Sequence, residues 1–291
     1  MIGVPGSVPG STPEGVPEGV PEGVPEGVPD GGTADTHLVL IPSYNTGPRL
    51  TATVREARGV WPHVWVVIDG GTDGAEAEII AQAEHDPGMR VLFLKRNGGK
   101  GAALLRGLRA AQAAGFTHAL TMDADGQHPA DRIGAFMAAS AARPEAMILG
   151  VPVFDASAPA LRVGGRRISN WWARLETAGA IGDSLFGFRV YPIAPLLAVM
   201  AGTRWMRRYD FDAEAAVRLC WRGVPAINIP APVRYFRASE GGVSHFRYGR
   251  DNALLTWMHI RLMLSAIFLR PRVLSGWTRR ADAASTTEEN P

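Results

Sequence analysis

Ala119-Leu120-Thr121-Met122-Asp123-Ala124-Asp125-Gly126-Gln127-His128-Pro129 opens as an apolar run and closes on Gly126 and Pro129, the pattern of a buried strand brought to a stop. Along an extended chain, side chains two residues apart point the same way. Asp123 and Asp125 are therefore expected to project together from the strand's C-terminal end, with Gln127 next in line. In an open α/β sheet that end is where ligands bind. Two carboxylates and an amide oxygen suit a hard cation such as Mg²⁺ or Mn²⁺, which keeps open positions for substrate phosphates. The competing reading is a solvated Asp-Gly turn with helix-capping carboxylates, which is what an isolated Asp-x-Asp more often is. The flanking chain has to separate the two.

Upstream, short apolar runs alternate with helical segments. Leu38-Val39-Leu40-Ile41 reads as a strand, followed by a loop and a helix from about Pro48 to Arg58. Val64 to Ile68 is a second strand, running into Asp69-Gly70-Gly71-Thr72-Asp73-Gly74 and a helix that ends near His85. Val91 to Leu94 is a third, and the loop Lys95 to Gly101 opens a helix over Ala102 to Ala114. Thr117 to Met122 is the fourth strand. This alternation indicates parallel strands joined by crossover helices, an α/β architecture. This first half of the fold is expected to span roughly residues 37–150.

Downstream the alternation loosens. After Met147-Ile148-Leu149-Gly150 come a basic, aromatic helix from Arg162 to about Ala178, a helix around Phe211 to Trp221 and a strand over Ala226 to Ile229. A polar loop from Arg237 to Arg247 precedes a strongly apolar last helix, about Asn252 to Leu269, interrupted by His259 and Arg261. Residues 151–250 then form a second half, 251–280 an amphipathic helix and 281–291 a disordered tail. At the other end, residues 1–36 are expected to be a flexible leader. They repeat a unit seen as Gly15-Val16-Pro17-Glu18, too rich in proline and glycine for regular structure.

Bulk properties narrow the classes. With 291 residues, 46% of them hydrophobic, the chain can bury one large α/β core or two modest ones. A net charge of +2 argues against nucleic acid as the partner, while pI ≈ 8.9 leaves room for local basic patches. The single cysteine, Cys220, excludes an internal disulfide and a Cys-based metal site, as expected in a reducing compartment. Met1-Ile2-Gly3-Val4-Pro5 lacks the pattern of a secretory signal, and no apolar run reaches the ~18 residues of a membrane span.

Five segments occur in a familiar order: Ile41-Pro42-Ser43-Tyr44-Asn45, Asp69-Gly70-Gly71-Thr72-Asp73, Asn97-Gly98-Gly99-Lys100-Gly101, Asp123 through Pro129, and Gly187-Phe188-Arg189. Together they resemble the family-2 glycosyltransferases of GT-A fold, nearest the branch of dolichyl-phosphate mannose synthases and other polyprenyl-phosphate sugar transferases. The resemblance covers residues 37 to about 250. It implies a nucleotide-binding, mostly parallel sheet flanked by helices, with the amphipathic helix at the C-terminal end. It also implies an inverting enzyme that moves a sugar from a UDP- or GDP-sugar to a lipid-linked acceptor, with polyprenyl phosphate foremost. A degenerate nucleotide-sugar-binding protein and a nucleotidyltransferase are the alternatives. Two departures from the pattern stand out: Ile68 where the family usually has a second acid, and Thr46 where a Glu often follows Tyr-Asn.

The resemblance also distributes roles. Pro42, Tyr44, Asp69, Lys100 and Asp123 fall on the donor side, Asp69 toward the base and Asp123 toward the ribose. Asp125 and Gln127 would hold the metal on the diphosphate. Arg237 with Ser244 resembles an Arg…Gly-x-Ser element near the donor phosphates, and His245 stands where relatives carry Lys. A hydroxyl acceptor needs a general base, for which Asp212 or Glu214 is a candidate; a phosphate acceptor is already ionised and needs none. Phosphate would instead call on arginines, whose forks match its oxygens, with Arg162, Arg166, Arg167 and Arg189 as candidates. Asp183 either fixes the loop before Gly187 or touches the acceptor. Lys100, at a glycine-rich turn before a helix, contacts the donor or supports the aspartates. From Arg247 to Arg280 there are seven arginines against one aspartate, interleaved with aromatics. That composition suits an anionic membrane surface, placing the protein in the cytoplasm on the inner face of the cell membrane. A core helix with a charged edge is the competing account.

Overall fold

A computed structural model describes residues 31–154, 160–234, 236 and 249–266. Four parallel strands form the first part: β1 (His37–Ser43), β2 (Val64–Asp69), β3 (Met89–Leu94) and β4 (His118–Thr121). A short helix α1 (Gly31–Thr36) precedes them, at the end of the stretch read as leader. The connections are α2 (Arg49–Arg58), α3 (Glu76–His85) and α4 (Lys100–Ala113). Next come α5 (Ile133–Ala142), β5 (Met147–Val153), α6 (Ala160–Thr177), β6 (Arg189–Pro192), α7 (Ile193–Ala201), α8 (Phe211–Trp221) and β7 (Ala226–Pro232). Residues 249–266 form a last helix, α9.

The seven strands make one sheet in the order β3-β2-β1-β4-β6-β5-β7. All neighbours are parallel except β6, which runs antiparallel to β4 and β5. The second half of the chain therefore completes the sheet of the first, because β6 inserts between β4 and β5. Neither β6 nor α5 nor α7 is marked in the sequence by a clean period. β6 is only four residues long and carries a buried arginine.

Both faces of the sheet are covered, and the strands alternate between two cores. Leu38 and Leu40 of β1, with Trp65 and Val67 of β2, pack against α4, α7 and α8. Val39 and Ile41, with Val64, Val66 and Ile68, face α2 and α5 on the opposite side. Two-sided burial explains why these strands read as unbroken apolar runs. Strand order reverses at β1, whose neighbours β2 and β4 follow it on opposite sides. The crevice beyond the carboxyl ends of β1 and β4 is thus where an open α/β sheet binds its ligand.

Candidate functional site

At that crevice the chain leaves β4 at Thr121, so the aspartates stand just past the strand rather than on it. The alternation persists nonetheless. Met122 and Ala124 are buried, while Asp123, Asp125 and Gln127 are partly exposed on the crevice side. Asp125 Oδ1 accepts the backbone N–H of Gln127 at 3.0 Å, closing a tight turn around Gly126, whose φ of 76° favours glycine. Phe236 covers this turn, with the Arg49 guanidinium 3.7 Å from its ring centroid.

Asp123 is held from three directions. Its backbone N–H donates to Nδ1 of His128 at 2.9 Å, so the imidazole proton sits on Nε2, 3.6 Å from Asp123 Oδ2. His128 is packed between Phe186 and Phe188, and burial pushes its pKa down to about 4 despite the neighbouring carboxylate. It is a neutral brace for Asp123. The third contact is ionic: Lys100 Nζ lies 2.6 Å from Asp123 Oδ1 and 2.8 Å from Asp212 Oδ2. Burial works against the lysine's charge, but the two aspartates outweigh it and hold its pKa above the ordinary value. Burial would raise Asp123 as well, yet Lys100 keeps it below the usual carboxylate range. Asp212 goes the other way, raised by burial and by the charge of Asp123. One ammonium thus serves two carboxylates, and Oδ1 of Asp212 is buried with no hydrogen-bond partner among the described residues.

Lys100 reaches this position because of Asp69. Both oxygens of that buried carboxylate accept backbone N–H groups, from Gly98 and Gly99, each at 2.7 Å. The grip ties the end of β2 to the turn that starts α4, with Lys100 as the helix's first residue. A base contact by Asp69 would have to use the carboxylate's remaining lone pairs. On the far side Gly187 leaves room for the lysine: a Cβ there would collide with Lys100 Nζ and stand 3.1 Å from Asp123 Oδ2. Thr121 Oγ1 fixes that glycine by donating to its carbonyl at 2.7 Å. Pro42 lies in β1 opposite Val67, and Tyr44 follows the strand; both are partly exposed beside the crevice.

Other expected site residues are placed differently. Arg189 is fully buried and donates to the Tyr191 hydroxyl, to the carbonyl of Asp183 and to that of Asp212. It braces the backbone behind Asp212 and is closed off from any substrate, a correction to the catalytic role expected of it. Glu214 is corrected likewise. One helical turn cannot point residues 212 and 214 the same way, and Glu214 turns inward, pairing with Arg218 at 2.7 Å and Arg261 at 2.9 Å. Asp183 fixes the loop before Gly187 and is not open to an acceptor. It is 2% exposed and accepts from Arg166, Asn170 and the N–H groups of Leu185 and Phe186. Burial opposes its charge, but Arg166 and these donors hold its pKa below the usual range. Arg166 is engaged there, whereas Arg167 is exposed on α6. Arg237, Ser244, His245 and the Arg162 side chain lie outside the described residues.

Sequence reading missed Tyr209, which precedes α8. Burial, with the charge of Asp123 next, pushes its phenol up to about 12, and Asp125 and Asp251 add to this. The signal for it was the alternation Tyr209-Asp210-Phe211-Asp212, with Asp210 and Phe211 buried. Arg49 and Phe236, 187 positions apart in a 291-residue chain, left no such signal.

The chain is 28% identical over 224 residues to polyprenol monophosphomannose synthase of Mycolicibacterium smegmatis, covering 71% of this chain and 79% of that one. Glucosyl-3-phosphoglycerate synthase from Mycobacterium tuberculosis, solved with Mn²⁺, UDP and glucosyl-3-phosphoglycerate, superposes with a TM-score of 0.56. The identity is 16%, over 78% of this chain and 79% of that one. S. aureus TarS 1-349, solved with UDP-GlcNAc, gives a TM-score of 0.53 at 15% identity, over 79% and 66% of the two chains. At these identities the two structures establish the GT-A fold. The family model for glycosyl transferase family 2 matches residues 38–194, from β1 through β6, and the chain belongs to that family as a family-2 glycosyltransferase.

Proposed function

We propose that the enzyme transfers a sugar from a UDP- or GDP-sugar, with inversion, to polyprenyl phosphate. The observation that carries this reading is Lys100, buried at the crevice between Asp123 and Asp212 with Asp125 and Gln127 alongside. The similarity to polyprenol monophosphomannose synthase supports the lipid-linked acceptor, and the two structural neighbours, one solved with UDP and Mn²⁺ and the other with UDP-GlcNAc, support the donor.

The donor set fits a divalent ion. One carboxylate and one amide oxygen are hard ligands, too few for a closed cage and suited to Mg²⁺ or Mn²⁺ that shares its remaining positions with a diphosphate. Asp125 and Gln127 would hold it, and when bound it would neutralise charge on the departing nucleoside diphosphate. His128 is not a ligand in this arrangement, because Nδ1 is taken by Asp123 and Nε2 carries the proton. In the transfer the bond from the anomeric carbon to the diphosphate oxygen breaks as one to an acceptor phosphate oxygen forms. The phosphate is already ionised, so no proton has to be removed. Asp212 accordingly serves to hold Lys100, and Lys100 presents positive charge where the donor's negative charge lies. Asp123 would face the ribose and Asp69 the base edge, with Pro42 and Tyr44 lining the donor side. Working on a lipid acceptor, the protein would rest on the inner face of the cell membrane. No helix among the described residues is long and apolar enough to cross a membrane.

Incubating the enzyme with labelled UDP- or GDP-sugars, Mn²⁺ or Mg²⁺ and polyprenyl phosphate tests the proposal. Label should pass to the lipid phase, and Asp125→Ala should lower the rate by about 10²-fold or more. Asp212→Asn separates acceptor types. With a phosphate acceptor it should cost less than about tenfold, whereas loss of a general base costs about 10²–10⁴-fold. Binding of nucleotide-sugar without any transfer would show a sensor instead.

A further inference from the structure

We infer that the acidic leader docks along a basic, acid-free face built from α4, the loop before it and the loop before α8. The inference is independent of which acceptor the enzyme uses. Five of the chain's 28 acidic side chains, and none of its 30 lysines and arginines, lie in residues 1–30. They recur at a fixed spacing as Glu14, Glu18, Glu22, Glu26 and Asp30, so the segment is a regular row of negative charge without its own counter-charge.

The opposite sign is gathered in one part of the fold. Residues 87–122 hold six bases and no acid, and residues 190–209 hold three bases and no acid. The fold lays these two stretches together. α4 packs on both β3 and α7, the Ala102 N–H donates to the Arg207 carbonyl at 3.1 Å, and Arg208 donates to Asn97 Oδ1 at 3.3 Å. Lys95, Arg96, Arg106, Arg109 and Arg204 are exposed there. Arg106 and Arg109, one turn apart, stand on the outward side of α4, away from its buried Leu104, Leu108 and Ala111. Arginines elsewhere have their acids, as in Arg58–Asp86, Arg166–Asp183 and Arg218–Glu214. Among the described residues none of these five is paired with a carboxylate.

Reach and charge together select the occupant. Thr36, the last residue of α1, accepts the N–H of Thr117 at 2.9 Å, just after α4 ends. The leader therefore joins the fold within a short helix, about 9 Å, of that end. α4 is about 21 Å long at its 14 residues. A proline-rich chain extends about 3.1 Å per residue, so two four-residue repeats cover about 25 Å. The row of acids is thus long enough to run from Arg109 back to Lys95 and Arg96. Exposed ion pairs are individually weak, so the docking needs several at once. The covalent tether supplies the effective concentration that a free polyanion would lack.

Lys95 and Lys100 are the chain's only lysines, and Lys100 is enclosed by Asp123 and Asp212, which makes Lys95 a clean reporter. In the full-length chain at low ionic strength, a carbodiimide should join Lys95 to a carboxylate within residues 14–30. The yield should not change with protein concentration and should vanish in about 0.5 M salt. Arg106→Glu/Arg109→Glu should lower it at least about fivefold while leaving the unfolding temperature near that of the parent. Glu14→Gln/Glu18→Gln/Glu22→Gln/Glu26→Gln, which alters nothing in the core, should elute from immobilised heparin at higher salt than the parent, because the face is uncovered. No crosslink, or a yield indifferent to the two arginines, would overturn the proposal. A yield that rises with concentration would also overturn it, assigning the face to the leader of a second copy. Equal heparin elution, with single-stranded DNA bound tightly by the parent, would overturn it in favour of nucleic acid.

Discussion

Lys100 of α4 and Asp212 of α8, 112 residues apart in sequence, meet at 2.8 Å in the crevice at the end of β4. Asp123 shares the same ammonium at 2.6 Å. The pair therefore welds the family-defining first half of the chain to a helix that lies beyond it. It also fixes the charge balance of the site at one cation between two carboxylates.

Removing that cation leaves two buried carboxylates facing each other. Lys100→Ala should destabilise the fold by about 3 kcal/mol, as breaking a buried pair does, and lower kcat/KM by about 10²-fold. Adding Asp212→Asn should restore part of the stability without restoring transfer. Denaturant titration and steady-state assays of the three variants measure both.

Gly187 stands where any side chain would push Lys100 aside. Gly187→Ala should cost about 1–3 kcal/mol, the usual range for overpacking. Its effect on kcat should approach that of Lys100→Ala, because the Cβ displaces the same ammonium. Comparing kcat for the two variants at matched fraction folded checks this.

The Glu214–Arg261 pair anchors α9 to α8, and Arg261 also lies over the Trp205 ring at 4.1 Å. Arg261→Ala should destabilise by about 3–5 kcal/mol, since Glu214 is left buried with only Arg218. If Glu214 has no catalytic role, kcat of the folded fraction should change less than about threefold, within the scatter of a purely structural substitution. Thermal unfolding and assays well below the transition separate the two.

A histidine pair gives the fold an acid limit. His37 and His118 stack at 4.4 Å with planes 7° apart, each hydrogen-bonded at both nitrogens. Burial, then the neighbouring His118, lowers His37 to about 4; burial lowers His118 too. In the unfolded chain both would titrate near 6.5. A depressed folded value means the unfolded state binds protons first, so stability is complete above pH ~6.5 and declines as pH falls toward 4. For His37 the loss at the bottom of that window is about 3 kcal/mol. The unfolding temperature should drop across pH 6.5 to 4.5, and His37→Gln should flatten the slope. An unchanged slope in that variant would remove His37 as the cause.

Much of the first half was legible in the sequence, because a parallel strand buried on both faces must be an unbroken apolar run. β2 and α8 appear within a residue of where the sequence puts them, and β1 runs two residues past its expected end at Ile41. The strand β6 was not legible, since Arg189-Val190-Tyr191-Pro192 has neither the length nor the composition of a central strand. It becomes one only because Arg189 finds three oxygens waiting in the packed fold.

Local order along the chain determined that Asp123 and Asp125 face one way, because alternation is a property of an extended backbone whatever surrounds it. Which carboxylate meets which cation is a property of distance in space, and only the assembled fold decided it. Asp212 and Glu214 look equivalent as residue types two apart on one helix. Tertiary packing sends the first to Lys100 at the crevice and the second to Arg261 in the interior, since a helix turns about 200° between them.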